Sequence, residues 1–150
     1  MRQAKIKTNQ GSLTAVLFEE EAPITVDNFC DLAESGFYNG LRFFKHIPDI
    51  LVQAGCPFNN GTGGAGYFIK TEMAGLQQEH KKGTLSMVHG THHSNSSQFM
   101  ICLDDAFVHS FDSNYTCFGL VKPSDFEVLR KLRKGDQIEH IDIEYFNANQ

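Results

Sequence analysis

Alternating apolar and polar residues mark both ends of the chain as β-strands. Residues 4–8, AKIKT, carry lysines at alternate positions, and residues 141–145, IDIEY, carry acidic residues in the same way. If these two strands pair, their basic and acidic side chains face each other across the ladder. Further strand-like runs are LTAVLF, LRFFKHI, ILVQAG, TLSMVHG, QFMICL and YTCFGLV. The pattern therefore predicts many short strands.

Only two segments have the spacing of amphipathic helices. In residues 26–33 the apolar positions follow i, i+3, i+4, i+7, with Thr25 as the predicted N-cap and Gly36 as the predicted stop. In the second segment Ser124 and Glu127 form a capping box ahead of an apolar stripe. Many strands, two distant helices and no βαβ alternation predict a mainly β, antiparallel fold, either a closed barrel or a sandwich plugged by helices.

Composition and charge narrow the possible partners and compartments. A chain of 150 residues with 41% hydrophobic and 21% charged residues fits a single domain over residues 1–150. The net charge of -5 argues against nucleic acid and anionic membranes as partners, because both favour a basic face. No signal peptide or membrane span is evident, so we expect a cytoplasmic or nuclear protein with its four cysteines reduced.

The stretch FFKHIPDILVQAG contains two long polar side chains, Lys45 and Gln53, eight positions apart in an otherwise apolar run. A lysine in a strand usually points to solvent, and a buried glutamine is usually satisfied by the backbone. Periodicity alone favours these ordinary roles. A functional role depends on how the other segments are arranged around the two residues.

The glycine-rich segment GTGGAG, residues 61–66, formally matches the dinucleotide-binding pattern G-x-G-x-x-G. That pattern needs a buried parallel strand before it and a helix after it. Here it follows CPFNN and runs into YFIKTEM, which has no helical start signal. We therefore favour a turn that uses the conformational freedom of glycine over a nucleotide site.

A cluster of histidines raises the alternative of a metal-dependent protein. His89, His92 and His93 lie in VHGTHHSNSSQF, and His109 follows nearby. Adjacent histidines rarely both reach one ion, and the run has no acidic residue that could complete a zinc site. A polar loop between two strands is the favoured interpretation.

Four segments, FFKHIPDILVQAG, NNGTGG, LSMVHGTHHSNSSQFMI and FDSNYTCFGLV, together resemble the cyclophilin family of peptidyl-prolyl isomerases in order and spacing. PITVDNFCDLAESGFYNG and HIDIEYF extend the resemblance over essentially the whole chain. The resemblance implies a closed, eight-stranded antiparallel β-barrel capped by two α-helices. It also implies catalysis of rotation about the bond preceding proline, whose barrier is about 18–20 kcal/mol. Such a reaction needs no covalent step, metal or cofactor.

The resemblance also assigns roles to individual residues. Lys45 stands where the family has its catalytic arginine, and Gln53 stands where a glutamine grips the substrate carbonyl; Asn95 matches a family position as well. The substrate-binding positions implied in the same way are Ile50, Leu51, Gly61, Thr62, Val88, His89, Gly90, Gln98, Met100, Phe111 and Tyr115. Among these, Ile50, Leu51, Met100 and Phe111 correspond to the pocket for the proline ring.

Two departures from the family pattern lead to further expectations. Lysine at position 45 lacks the planar fork of arginine, which predicts a rate reduced on the order of ten- to a hundredfold. The chain has no tryptophan, which predicts weak binding of cyclosporin-type ligands. We expect a monomer that acts on proline-containing peptides or proteins. The alternative is a non-catalytic module that binds proline segments or a protein partner. By analogy with small cyclophilins among splicing factors, such a module could belong to a nuclear or spliceosomal assembly.

Overall fold

An antiparallel sheet of eight strands forms the body of the computed structural model, which describes residues 1–75, 77–89, 96–112 and 114–147. The strands are β1 Arg2–Thr8, β2 Gly11–Leu17, β3 Lys45–Ile47, β4 Leu51–Ala54, β5 Thr84–Met87, β6 Phe99–Cys102, β7 Thr116–Val121 and β8 Ile138–Tyr145. The helices are α1 Pro23–Glu34 and α2 Phe126–Lys131. The strand order across the sheet is β3-β4-β6-β5-β7-β2-β1-β8.

The sheet curls into a half-barrel that is open between its two edge strands. Within the described residues, β3 and β8 do not pair with each other. The segment before β3 nevertheless approaches the start of β8 through an isolated bridge between Arg42 and Gln137 and a 2.8 Å hydrogen bond from the Phe43 N–H to the Asp136 carbonyl. The predicted eight antiparallel strands and two helices are confirmed, whereas the complete closure of the barrel is not.

The two ends of the chain pair as the alternation of their residues suggested. β1 runs antiparallel to β8, with Lys5 directly opposite Asp142. The Lys7 ammonium lies 3.7 Å from the same carboxylate. On the other face of β1, Ala4 and Ile6 are fully buried. Each exposed ion pair contributes at most about 1 kcal/mol, so the buried apolar face accounts for most of the stability of this pairing.

Helix α1 covers the inner face of the sheet with apolar side chains. Phe29 is fully buried, and its ring lies 5.0 Å from that of Phe118 and 5.3 Å from that of Tyr38. It also meets Phe99 of β6 edge to face at 5.6 Å. Such aromatic pairs contribute about 0.5–1.5 kcal/mol beyond the area that they bury. The helix therefore fixes β6, the strand that leads into the candidate site.

Both helices begin differently from the sequence-based expectation. Helix α1 begins at Pro23, so Thr25 lies inside its first turn and does not cap it. The segment Pro123–Asp125 is a 3-10 turn, and α2 begins only at Phe126. Glu127 therefore does not close a capping box, and its Oε2 accepts a 2.8 Å hydrogen bond from Arg130. Neither helix of the described residues is long and apolar enough to cross a bilayer.

Candidate active site

The β3–β4 hairpin brings Lys45 and Gln53 together. In its antiparallel register Lys45 lies opposite Gln53, and Ile47 lies opposite Leu51. Alternate residues of a strand share a face, so all four side chains lie on one face of the hairpin. The reversal includes Asp49 at φ 63°, a left-handed conformation that aspartate tolerates better than most residues. Two residues that are separated in sequence are therefore neighbours in space.

This face of the hairpin opens onto a cavity of about 330 Å³. The residues that line it are Lys45, Ile47, Leu51, Gln53, Gly61, Val88, His89, Gln98, Met100, Phe111 and Tyr115. Met100 of β6 lies opposite Gln53 in the register, which brings a buried thioether next to the amide. The cavity combines an apolar floor with a few polar groups and is large enough for a small apolar ring.

Two of the predicted site residues that the structure describes, Ile50 and Thr62, do not belong to this lining. Ile50 is half-buried in the turn of the hairpin, where its N–H donates to the Ile47 carbonyl at 3.0 Å, and Ile47 lines the cavity instead. Thr62 is exposed, and its hydroxyl donates to Asn60 Oδ1 at 2.6 Å. Gly90 lies outside the described residues, as does Asn95.

Ile47 was missed by the reasoning from sequence, although a signal for it was present. Residues i and i+2 of a strand point to the same face, so Lys45 at the cavity already indicated Ile47 beside it. The expectation at Ile50 came from the family resemblance of the sequence. The Ile47–Ile50 hydrogen bond shows that it belongs to the turn.

Gln53 and Gln98 form a buried pair of amides at the edge of the cavity. Gln53 Nε2 donates to Gln98 Oε1 at 3.1 Å. Gln98 Nε2 donates in turn to the carbonyl groups of Gly61 at 3.0 Å and Gly63 at 2.7 Å. These contacts fix which end of each amide carries the N–H groups. Within the described part of the chain one N–H of Gln53 is used, which leaves its second N–H available to donate to a ligand carbonyl.

Lys45 contributes a cation at the rim of the cavity. The residue is exposed and lines the cavity beside Gln53. Among the residues that the structure describes, no carboxylate lies within ion-pair distance of its Nζ. A cation without a competing carboxylate is available to a ligand, but its four-carbon stem is also not held in one orientation.

One side of the cavity is an aromatic wall formed by Phe111, Tyr115 and His89. The 3-10 turn His109–Phe111 carries Phe111, whose ring meets that of Tyr115 at 5.6 Å and 79°. The imidazole of His89 lies 4.8 Å from the Tyr115 ring, and its Nε2 is 2.7 Å from the Asn114 carbonyl. Nε2 therefore carries the proton that it donates to this carbonyl. The three rings contact one another in sequence and line the same cavity as the hairpin.

The loop that carries Gly61 is packed closely against the hairpin. Gly61 has φ 87°, and a Cβ there would lie 3.2 Å from the Phe44 ring, so only glycine fits without strain. The N–H of Gly63 points to Cys56 Sγ at 3.4 Å. Burial raises the pKa of the Cys56 thiol, but hydrogen bonds with the backbone of Asn60 and neighbouring residues lower it to below its ordinary value. No helix follows this loop before β5 in the described residues, in contrast to a dinucleotide site.

The metal-binding alternative receives no support from the described residues. Among them, no three His, Cys, Asp or Glu side chains converge as metal ligands. His92 and His93, two of the residues in that alternative, lie outside the described ranges.

The chain is similar to known proteins over nearly its whole length. The family model for "Cyclophilin type peptidyl-prolyl cis-trans isomerase/CLD" matches residues 3–145. A peptidyl-prolyl cis-trans isomerase of Helicobacter pylori is 42% identical over 139 residues, covering 92% of this chain and 84% of its own length. One from Synechococcus elongatus is 40% identical over 144 residues, covering 95% and 97%.

A similar solved structure is the crystal structure of a cyclophilin type peptidyl-prolyl cis-trans isomerase from Cryptosporidium parvum, determined in the presence of the dipeptide Ala-Pro. Its TM-score is 0.83 at 28% sequence identity, and the match covers 96% of this chain and 99% of that one. The likeness therefore extends over nearly the whole length of both chains.

Proposed function

Since the chain belongs to the cyclophilin-type peptidyl-prolyl cis-trans isomerase family, we propose that it catalyses rotation about Xaa-Pro bonds of peptides and protein clients in the cavity described above. The observation that carries this proposal is the pairing of Lys45 with Gln53 at the mouth of an apolar cavity. The Cryptosporidium parvum relative was crystallised in the presence of Ala-Pro, so the same dipeptide unit is the natural probe for this chain.

The apolar floor receives the proline ring. Leu51 and Met100 are almost fully buried, and Phe111 closes one side. Burial of the proline ring removes apolar surface from water, and each Å² of this surface contributes about 25 cal/mol to the free energy of binding. This binding energy holds the ring still. When the ring is held, the carbonyl before it is the part of the substrate that rotates.

Gln53 holds the substrate, and Lys45 acts on the bond that rotates. The free N–H of Gln53 donates to a substrate carbonyl that flanks this bond, while Gln98 holds the glutamine in place. As the amide twists, resonance is lost and the proline nitrogen regains a lone pair. A cation directed at that nitrogen interacts more strongly with the twisted state than with either planar state, and this difference lowers the barrier. Lys45 is the group that supplies this charge.

We expect a lower isomerisation rate with lysine at this position than with arginine. A hydrogen bond to a charged group contributes about 1.5–3 kcal/mol, and a flexible ammonium realises only part of it because its orientation is not fixed. That loss corresponds to a rate reduced on the order of ten- to a hundredfold. The absence of tryptophan supports the further proposal that cyclosporin-type ligands bind weakly.

The proposal is tested by exchange spectroscopy on a short Ala-Pro peptide. The wild type should accelerate cis-trans exchange, and Lys45→Ala should remove most of the acceleration. Lys134→Ala is the matched control, because Lys134 is exposed and does not line the cavity, and it should retain the wild-type rate.

A second candidate is a non-catalytic module that holds proline segments in the same cavity. The observation that favours it is the exposed Lys45, whose ammonium has no carboxylate to orient it within the described residues. In that case peptide resonances shift on addition of the wild-type protein while the exchange rate stays at its uncatalysed value. This result would replace the enzymatic proposal.

A further inference from the structure

A buried polar cluster lies directly behind the aromatic wall. His80, from the segment before β5, is 0% exposed. Its Nδ1 lies 2.9 Å from Asp112 Oδ1, and its backbone N–H donates to the same oxygen at 2.7 Å. Its Nε2 lies 2.8 Å from the hydroxyl of Ser86 on β5. The one carboxylate oxygen thus holds both the main chain and the side chain of this histidine.

The partners of the ring determine its tautomer. An ionised carboxylate only accepts hydrogen bonds, so Nδ1 of His80 carries a proton that it donates to Asp112. In the neutral ring Nε2 then accepts from the hydroxyl of Ser86. That hydroxyl has a second acceptor, the Thr116 carbonyl at 3.3 Å, to which it turns when Nε2 is itself protonated. The cluster is therefore hydrogen-bonded in both charge states of the ring.

The same carboxylate connects the cluster to the cavity. Asp112 follows Phe111 directly at the end of the 3-10 turn, and its N–H donates to the His109 carbonyl at 3.1 Å. The ring of Phe111 meets the His80 ring edge to face at 5.7 Å. Phe111 is thus held on its inner side by His80 and in the main chain by Asp112, and Tyr115 packs on its outer side.

We propose that His80 and Asp112 are positioning residues for the isomerase reaction, which act by fixing Phe111, and through it Tyr115, against the proline ring. This inference rests on the proposed function of the cavity. Both residues lie outside the cavity lining and act through the aromatic wall. A wall that shifts by a fraction of an ångström no longer holds the ring in the orientation from which the bond rotates.

The charge of the cluster changes at a pH below 6.5. Burial lowers the pKa of His80 below its ordinary value of 6.5, and the hydrogen bond to Asp112 offsets part of this effect. Among the described residues, the other titratable groups that face the cluster are His109, Cys117 and Cys102. His109 on the 3-10 turn also lies 4.0 Å from Glu79, and Sγ of Cys117 on β7 is 3.4 Å from Nδ1. Cys102 of β6 interacts electrostatically with Asp112 and Cys117, and burial raises the pKa of its thiol to about 12. The pKa of Cys117 is raised to about 12 by burial, so this thiol stays neutral.

The test compares three variants in the exchange experiment on the Ala-Pro peptide. Asp112→Ala removes both hydrogen bonds to His80, and we expect kcat/KM per folded molecule to fall on the order of tenfold. Asp112→Asn keeps an acceptor oxygen for both N–H groups and should restore most of that loss. His140→Gln is the control, because His140 lies on β8, pairs with Lys7 of β1 and does not line the cavity.

The titration of His80 provides a readout that a purely structural role would not change. In the wild type the ring resonances of His80 and kcat/KM should titrate together at one pH below 6.5, and this inflection should disappear in His80→Gln and persist in His140→Gln. An unchanged kcat/KM in Asp112→Ala overturns the proposal. If that variant does not fold, an activity profile that does not follow the His80 titration overturns it.

Failure of the isomerase proposal gives a different experimental result from failure of the positioning inference. A wild-type protein that binds the Ala-Pro peptide without accelerating exchange contradicts the isomerase proposal. The positioning inference is then judged by peptide affinity alone. A weaker affinity in Asp112→Ala that Asp112→Asn restores supports it, and equal affinities in all variants overturn it.

Discussion

Glu72 caps the first turn of α1 through Thr25: its Oε1 accepts hydrogen bonds from the N–H and from the hydroxyl of Thr25, each at 2.7 Å. The second oxygen accepts from the Ile24 N–H at 3.2 Å. The helix has no side-chain cap of its own at Ala22. A carboxylate from the long β4–β5 connection therefore satisfies its free N–H groups and interacts favourably with the helix dipole.

Replacing Glu72 should loosen both the helix and the loop. We expect Glu72→Ala to lower the free energy of unfolding by about 1–2 kcal/mol, as for the loss of a helix cap. The variant keeps the contact of the loop with β7, because the backbone N–H of residue 72 donates to the Thr116 hydroxyl at 2.9 Å, so the loss comes from the contacts of the carboxylate with the helix. Urea unfolding provides the measurement, with Glu139→Ala on exposed β8 as the control. Equal stabilities of the two variants would contradict this capping role.

Lys45→Arg should raise the isomerase activity above that of the wild type. Arginine offers a planar fork of donors whose orientation is better defined than that of an ammonium. We expect kcat/KM for the Ala-Pro peptide to rise on the order of tenfold, with little change in stability because residue 45 is exposed. The same substitution at exposed Lys134 should leave the rate unchanged. A rate that stays constant or falls in Lys45→Arg would show that the shape of the cation does not limit catalysis.

Much of the fold follows from local sequence patterns. The eight strands could be predicted because apolar alternation and β-branched residues act over a few positions. The expected roles of Lys45 and Gln53 came from the family resemblance instead, because periodicity alone favoured ordinary roles for both residues. Thr25 shows where local reasoning fails: it has a good N-cap side chain, but the helix begins before it because Pro23 favours the first helical position.

Contacts between distant segments could not be predicted in this way. His80 and Asp112 are 32 positions apart, and nothing near either residue indicates that they meet in the core. The open edge of the barrel also depends on contacts between distant segments. It is determined by where residue 42 meets residue 137 and by the short length of β3. Local patterns predict the elements, whereas tertiary packing determines which polar groups become partners.

The coupling between Gln53 and Gln98 can be measured with a double-mutant cycle. Gln98→Leu removes the hydrogen bonds to Gly61 and Gly63 and the acceptor for Gln53, and we expect a loss of about 1–3 kcal/mol in stability and a higher KM. Gln53→Leu should lower kcat/KM through the lost carbonyl contact. If Gln98 acts by holding Gln53, the double variant loses less than the sum of the single variants. Strict additivity in kcat/KM would refute this dependence.

Stability should fall as the pH drops below about 6.5, and His80 should account for part of the fall. Burial holds the pKa of His80 in the folded chain below 6.5, its ordinary value in the unfolded chain. Between these two pKa values the unfolded chain binds a proton at His80 that the folded chain does not. The penalty therefore grows as pH decreases from 6.5 to the folded-state pKa and is absent at pH 7.5. Burial lowers the pKa of His46 as well, so it acts in the same direction. Urea unfolding at pH 7.5, 6.5 and 5.5 should give a shallower dependence in His80→Gln than in the wild type. Equal slopes in His80→Gln and the wild type would contradict the role of His80.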